Sequence, residues 1–136
     1  MRFFVVLVFA VSGFSPIWAD DRPRIKLNGM LTAGELHHDC PDSNVDEYCN
    51  LWTVTTFQGV MLGAAYALQQ SGQSEGSFSN AFPLAQKTIG VCPNPNEAYP
   101  VMSSKFYEFL ASEANLHNEI ARFVFLVFLR EEYPCN

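Results

Sequence analysis

The sequence predicts an all-α protein, a small single-domain bundle of about four to five helices stapled by two disulfides. Three observations predict this class. Apolar residues recur at helical spacing over long stretches, glycines and prolines separate those stretches, and the 136-residue chain carries four cysteines. The longest periodic stretch, Cys49 to Leu68, is expected to be one helix around which the other elements pack.

One face of this helix combines aromatic and small residues. At helical spacing it contains Tyr48, Trp52, Thr56, Gly59, Gly63 and Ala67. A glycine inside a helix costs about 1 kcal/mol relative to alanine, so we expect the three small residues to form a groove for the bulky segment Phe123 to Leu129. A membrane span is the alternative, but polar residues interrupt the apolar run well before the roughly 20 residues that a span needs.

The first 19 residues have the pattern of a secretory signal peptide. A short basic region precedes the apolar run Phe3 to Val11, and the expected cleavage follows Ala19. Residues 20–30 are interpreted as an N-terminal arm and residues 31–136 as the helical domain. An uncleaved membrane anchor is disfavoured because the apolar run is shorter than a spanning helix. The sequence therefore predicts export, with no membrane span left after cleavage.

The composition is acidic, with 14 Asp and Glu residues against 8 Lys and Arg residues and a net charge of -6. Proteins that bind nucleic acids need a basic face, so this balance argues against a nucleic-acid partner. It fits an exported protein, or one whose protein partner is basic.

Four cysteines in a small exported chain indicate disulfides. Three pairings are possible, and we favour Cys40–Cys49 with Cys92–Cys135. The first pair flanks a short acidic turn, and the second lies just outside the two later helices. A metal site is the alternative, but it needs closely spaced thiolates, and the sequence contains no C-x-x-C motif.

Helix-capping residues and Ser/Gly-rich stretches predict the next elements of the chain. Thr32 and Glu35 form a capping box that starts a short helix ending near Asp39, and Asp46 favours the start of the long helix. The Ser/Gly-rich stretch 71–80 predicts a surface loop.

The later part of the chain predicts three further helical segments. Residues 81–90 are expected to hold a turn of helix, and residues 101–112 a helix with Met102, Phe106, Phe109 and Leu110 facing inward. The last helix is expected to begin near Asn115 or Asn118 and to end near Glu132. Its apolar segment resembles a strand by propensity, but its length and polar flanks favour helix. Because that segment is apolar on every side, we expect it to be central or to contact another copy in a homodimer.

No set of residues predicts a catalytic, cofactor or metal site. The cluster His37-His38-Asp39-Cys40 is dense in potential ligands, but adjacent residues on a helix do not share a face, and a metal site needs three or four convergent ligands. His117 is expected to pair with Glu113, and the adjacent acids Glu131 and Glu132 are expected to point to different faces. We therefore predict that the protein is not an enzyme and takes no cofactor.

Taken together, the landmarks resemble the Rap/Tai family of type VI secretion immunity proteins. They are a short helix ending in Cys40, then Tyr48-Cys49, Phe57-Gln-Gly-Val60, Ala64-Ala-Tyr-Ala67, Cys92-Pro93, Phe106-Tyr-Glu-Phe-Leu110 and Tyr133-Pro-Cys135. The resemblance covers about residues 30–136. It implies a small, periplasmic, disulfide-stapled helical protein, often dimeric, that binds and blocks a toxin, commonly a peptidoglycan amidase.

A blocker of this kind needs a protrusion that enters a cleft. We expect the segment Gln73 to Phe82 to provide it, with Gln73, Glu75, Phe78 and Phe82 as contact residues, the two phenylalanines as anchors. Glu75 and Glu97 are expected to steer a basic toxin. An idle surface loop is the alternative for this segment. For the whole protein, the alternatives are a structural or adaptor module of the cell envelope and, less favoured, a small hydrolase.

Overall fold

A computed structural model describes residues 31–42, 45–73 and 78–135. The helices are α1 (Ala33–Asp39), α2 (Glu47–Gln70), α3 (Phe78–Ile89), α4 (Tyr99–Ser112) and α5 (Ala121–Glu132), with a 3₁₀ turn at Ala114–Leu116. In these ranges β-pairing is limited to the isolated bridges Thr32–Ile120 and Val91–Pro134. The all-α prediction is therefore confirmed, whereas the predicted signal peptide and N-terminal arm lie outside the described residues.

The short helix α1 is held by its cap and by its contact with the turn before α5. The capping box forms as predicted: the Thr32 amide donates to Glu35 at 3.0 Å, and the Glu35 amide donates to the Thr32 hydroxyl at 3.2 Å. The Gly34 amide donates to the His117 carbonyl at 2.9 Å. A Cβ at Gly34 would come within 3.0 Å of His117, so glycine permits this close approach.

The long helix α2 begins after Asp46, whose carboxylate accepts from the Cys49 amide at 3.0 Å. Its buried face comprises Cys49, Trp52, Thr53, Thr56, Phe57, Met61, Ala65 and Leu68. The predicted groove at Gly59, Gly63 and Ala67 is wrong, because all three are exposed and a Cβ at either glycine would meet nothing within 4 Å. The larger apolar residues Phe57, Met61 and Leu68 turn the opposite face of the helix inward.

Helix α3 is longer than the predicted single turn and makes the most extensive packing against α2. Its inward residues Ala81 and Ala85 are fully buried, as is Ala65 on α2. Small side chains at these positions allow the two helix backbones to approach closely. The helix that packs most extensively on α2 is therefore α3, and not the bulky segment of α5 that was expected to do so.

Helix α5 starts later than predicted. The residues before it form the 3₁₀ turn, and the Ala121 amide donates to the Leu31 carbonyl at 2.8 Å. The helix is not buried on every side: Phe125 and Leu129 are fully buried, but Phe123 is 60% exposed. Its inward face joins an aromatic core centred on Phe106, whose ring lies 4.8 Å from that of Phe125. A helical assignment for the 123–129 segment is confirmed.

The two disulfides have the favoured pairing. Cys40 and Cys49 are joined at a Cα–Cα distance of 5.7 Å, and Cys92 and Cys135 at 4.9 Å. The first bond ties the end of α1 to the start of α2, and the second ties the segment after α3 to the C-terminal residues. Within the described ranges, none of the helices combines the length and apolarity needed to cross a bilayer.

The exposed glycines of α2 lead to a stability prediction. Gly59→Ala and Gly63→Ala are each expected to raise the free energy of unfolding by about 0.5–1 kcal/mol, because alanine restricts the unfolded chain and meets no neighbour in the helix. Urea unfolding at a protein concentration low enough to keep the chain monomeric measures the change. Gly72→Ala is the control, and it should destabilise the protein because Gly72 has φ +69°. A loss of stability at Gly59 would show that this face is covered.

Candidate binding surfaces

The segment predicted to contact a partner is only partly a loop. Gln73 is exposed, Glu75 lies outside the described residues, and Phe78 is the first residue of α3. Phe82 is half-buried and packs against the core, so its placement in a protruding loop is wrong. Phe82 lies three residues before the fully buried Ala85, so the two side chains share one face of α3. Contact of these four residues with a partner stays a prediction.

An open groove separates α2 from the first turn of α5. It encloses about 370 Å³ and is lined by Thr55, Thr56, Gly59, Val60 and Arg122. Beside it, α2 exposes three large side chains along one stripe: Leu51 (59% exposed), Leu62 and Tyr66. Fifteen residues of helix span about 22 Å, so this apolar stripe is long as well as exposed.

A second groove lies between α4 and the last turn of α5. It encloses about 420 Å³ and is lined by Lys105, Glu108, Phe109, Ser112, Phe128, Glu131 and Glu132. The Phe109 and Phe128 rings lie 5.6 Å apart at the base of the groove. The other charged residues of the lining provide three carboxylates and one ammonium group. The groove therefore combines two aromatic rings with a net negative charge.

Lys105 lines this second groove and is held there by neighbouring side chains. Its ammonium lies 2.8 Å from Glu132 and 3.3 Å from Glu97, and 5.1 Å above the Tyr133 ring. The hydrogen bond with Glu132 is the main cause that raises the pKa of Lys105. The Tyr133 hydroxyl donates to Glu97, and burial, followed by this bond, raises the pKa of Tyr133. Glu97, predicted to steer a partner, is therefore engaged within the chain.

Two buried hydroxyl groups near the first disulfide have structural partners. The Tyr107 hydroxyl donates to the Cys49 carbonyl at 3.0 Å, and the Thr53 hydroxyl donates to the same carbonyl at 3.1 Å. Burial raises the pKa of the Tyr107 hydroxyl. These contacts fasten α4 to the start of α2, beside the Cys40–Cys49 bond.

Two of the three histidines lie close together. His38 is exposed, but the half-buried His37 ring lies 5.1 Å from the His117 ring. The Nε2 atom of His117 is 2.8 Å from the Leu110 carbonyl. The expected helical pair with Glu113 is wrong, because residues 113–117 form the 3₁₀ turn and its caps. Among the described residues, no group of three or more potential ligands converges to hold a metal ion.

The groove between α4 and α5 was not predicted from the sequence. Glu131 and Glu132 were expected to point to different faces, yet both line it, since a groove at a helix end is reached by neighbouring side chains of the last turn. One signal was present: Lys105, Glu108 and Ser112 recur at helical spacing on α4.

Neither a family model, nor a curated protein, nor a solved structure matches this chain.

Proposed function

We propose that the protein is a periplasmic immunity protein that binds and blocks a toxin delivered by type VI secretion, a peptidoglycan amidase, and that it does so without catalysing a reaction. The observation that carries the proposal is the covalent closure of the helical bundle, by Cys40–Cys49 at one junction and Cys92–Cys135 at another. A body fastened in this way presents a preformed surface, so little conformational entropy is lost on binding.

The sequence landmarks support the same proposal. The terminal Tyr133-Pro-Cys135 and the Cys92-Pro93 pair resemble the Rap/Tai immunity proteins, and in this chain the two segments are joined by a disulfide and by the Cys92 amide donating to the Tyr133 carbonyl at 2.8 Å. Disulfides are compatible with an oxidising compartment such as the periplasm. The N-terminal signal pattern supports export to that compartment.

The test is a binding and inhibition experiment with defined hydrolases. Candidate secreted peptidoglycan hydrolases encoded beside this protein are purified, and each is tested for complex formation and for loss of amidase activity when the protein is added. A hydrolase encoded elsewhere in the same genome is the control. The proposal fails if none is bound or inhibited. An envelope defect on deletion, in the absence of a rival cell, would instead support the adaptor alternative, and hydrolysis of peptidoglycan by the protein itself would support an enzyme.

We also propose that the protein forms a homodimer through the apolar stripe of α2, which includes Leu51, Leu62 and Tyr66. A symmetric contact between two such stripes removes exposed apolar surface from both copies. Light scattering at micromolar concentration should give twice the mass of the chain. Leu62→Arg is expected to give the monomer mass, whereas Leu84→Arg, an exposed leucine on α3, should leave the dimer intact. A monomer mass for the unaltered protein would overturn this proposal.

A further inference from the structure

Phe109 and Phe128 give the groove between α4 and α5 an aromatic base, of which the Phe109 ring is the more accessible part. Phe128 is almost fully buried, whereas Phe109 is half-buried at the wall of the groove. The ring faces of phenylalanine attract cations, and a guanidinium group stacks on them especially well. The groove therefore offers a surface on which a flat cation is favoured over an anion.

The same groove already holds a cation of this chain. The Lys105 ammonium is paired with the Glu132 and Glu97 carboxylates and lies over the Tyr133 ring. Carboxylates beside an aromatic face thus form a cation site here. The contacts of Lys105 show that carboxylates and an aromatic ring act together on a cation in this groove.

Two further carboxylates line the groove without an ion pair to a cation among the described residues of this chain. Glu108 on α4 and Glu131 on α5 are both exposed and line the groove beside Phe109. In the part of the chain that the structure describes, neither carboxylate has an ion-pair partner. Two like charges at one opening repel each other, and a cation placed between them relieves that repulsion.

We propose that the part of the groove lined by Glu108, Phe109 and Glu131 binds an arginine side chain of the toxin. The guanidinium lies against Phe109 and pairs with Glu108 and Glu131, and its planar shape suits two carboxylates and a ring better than an ammonium does. The inference rests on the proposed function, because it names the part of the toxin that the protein recognises. It also assigns binding to a surface other than the 73–82 segment.

The first test uses a small probe and needs no toxin. N-acetyl-arginine amide is titrated into the ¹⁵N-labelled protein, and N-acetyl-citrulline amide, the neutral analogue of similar shape, is the control ligand. Saturable shifts of the Phe109, Ser112 and Glu131 amides are expected with arginine and not with citrulline. They should vanish in Glu108→Gln/Glu131→Gln and persist in Glu47→Gln/Glu119→Gln, which removes two exposed carboxylates elsewhere. Equal shifts with both ligands, or none, would overturn the inference.

The second test uses the hydrolase identified by inhibition. Glu108→Gln/Glu131→Gln is expected to raise the Kd of the complex at least about tenfold, and the Glu47→Gln/Glu119→Gln control less than about twofold. An unchanged Kd for the groove variant means that the toxin binds elsewhere, so the inference fails while the proposed function stands. If the arginine probe binds and no hydrolase is inhibited, the proposed function fails and the assignment to a toxin fails with it, while the cation site remains.

Discussion

Replacing Phe106 with alanine is expected to lower the free energy of unfolding by about 3–5 kcal/mol. Phe106 is fully buried, and its ring lies 4.8 Å from Phe125, 5.3 Å from Phe128 and 5.8 Å from Trp52. Its removal leaves a cavity where α2, α4 and α5 meet, because these rings belong to two other helices and cannot all move inward. Urea unfolding followed by far-UV circular dichroism measures the change.

Phe123→Ala is the matched control for this prediction. It deletes the same side chain from a helix, but Phe123 is 60% exposed, so the loss should be below about 1 kcal/mol. A similar loss for both variants would mean that Phe123 is covered in solution. A loss below about 1 kcal/mol for Phe106→Ala would mean that the aromatic rings do not form the centre of the fold.

Local sequence signals predicted those parts of the fold that depend on neighbours in the chain. The capping box at Thr32 and Glu35 satisfies its donors within one turn, and Asp46 does the same for α2. The disulfide pairing could also be predicted, because one favoured pair flanks a turn and the other flanks a pair of helices. In each case the determining interaction spans a short segment or follows from the order of the helices.

The parts that were not predicted depend on which side of a helix faces the core. Glycines at positions 59 and 63 suggested close packing, but the free energy of burying Phe57 and Met61 exceeds any gain from packing two glycines, so the helix turns those larger residues inward. The length of α3 was underestimated because the Ser/Gly-rich stretch before it predicted a loop up to residue 80. The burial of Ala81 and Ala85 was therefore not predicted. The groove between α4 and α5 requires two helix ends to meet, which no spacing in either helix specifies.

The bond between Cys92 and Cys135 is expected to contribute about 4 kcal/mol to the free energy of unfolding, since a loop of this length restricts the unfolded chain strongly. The two cysteines are 43 residues apart in sequence. Cys92 is exposed and Cys135 is half-buried, so their replacement removes little packing. Cys92→Ala/Cys135→Ala should therefore lower stability by about that amount, and urea unfolding without reductant measures it.

The control Cys40→Ala/Cys49→Ala separates loop closure from packing. Its cysteines are 9 residues apart and fully buried, so loop closure accounts for about 2.7 kcal/mol and lost packing adds to this. The urea m-value distinguishes the two causes: releasing the longer loop expands the unfolded chain more, so the m-value should rise more in Cys92→Ala/Cys135→Ala. If that variant instead lost less than about 1 kcal/mol, the C-terminal end would be held by its noncovalent contacts. Those contacts include the Arg130 guanidinium, which donates to the Ile89 carbonyl at 2.9 Å, and they would then fix the end of α5 without the covalent bond.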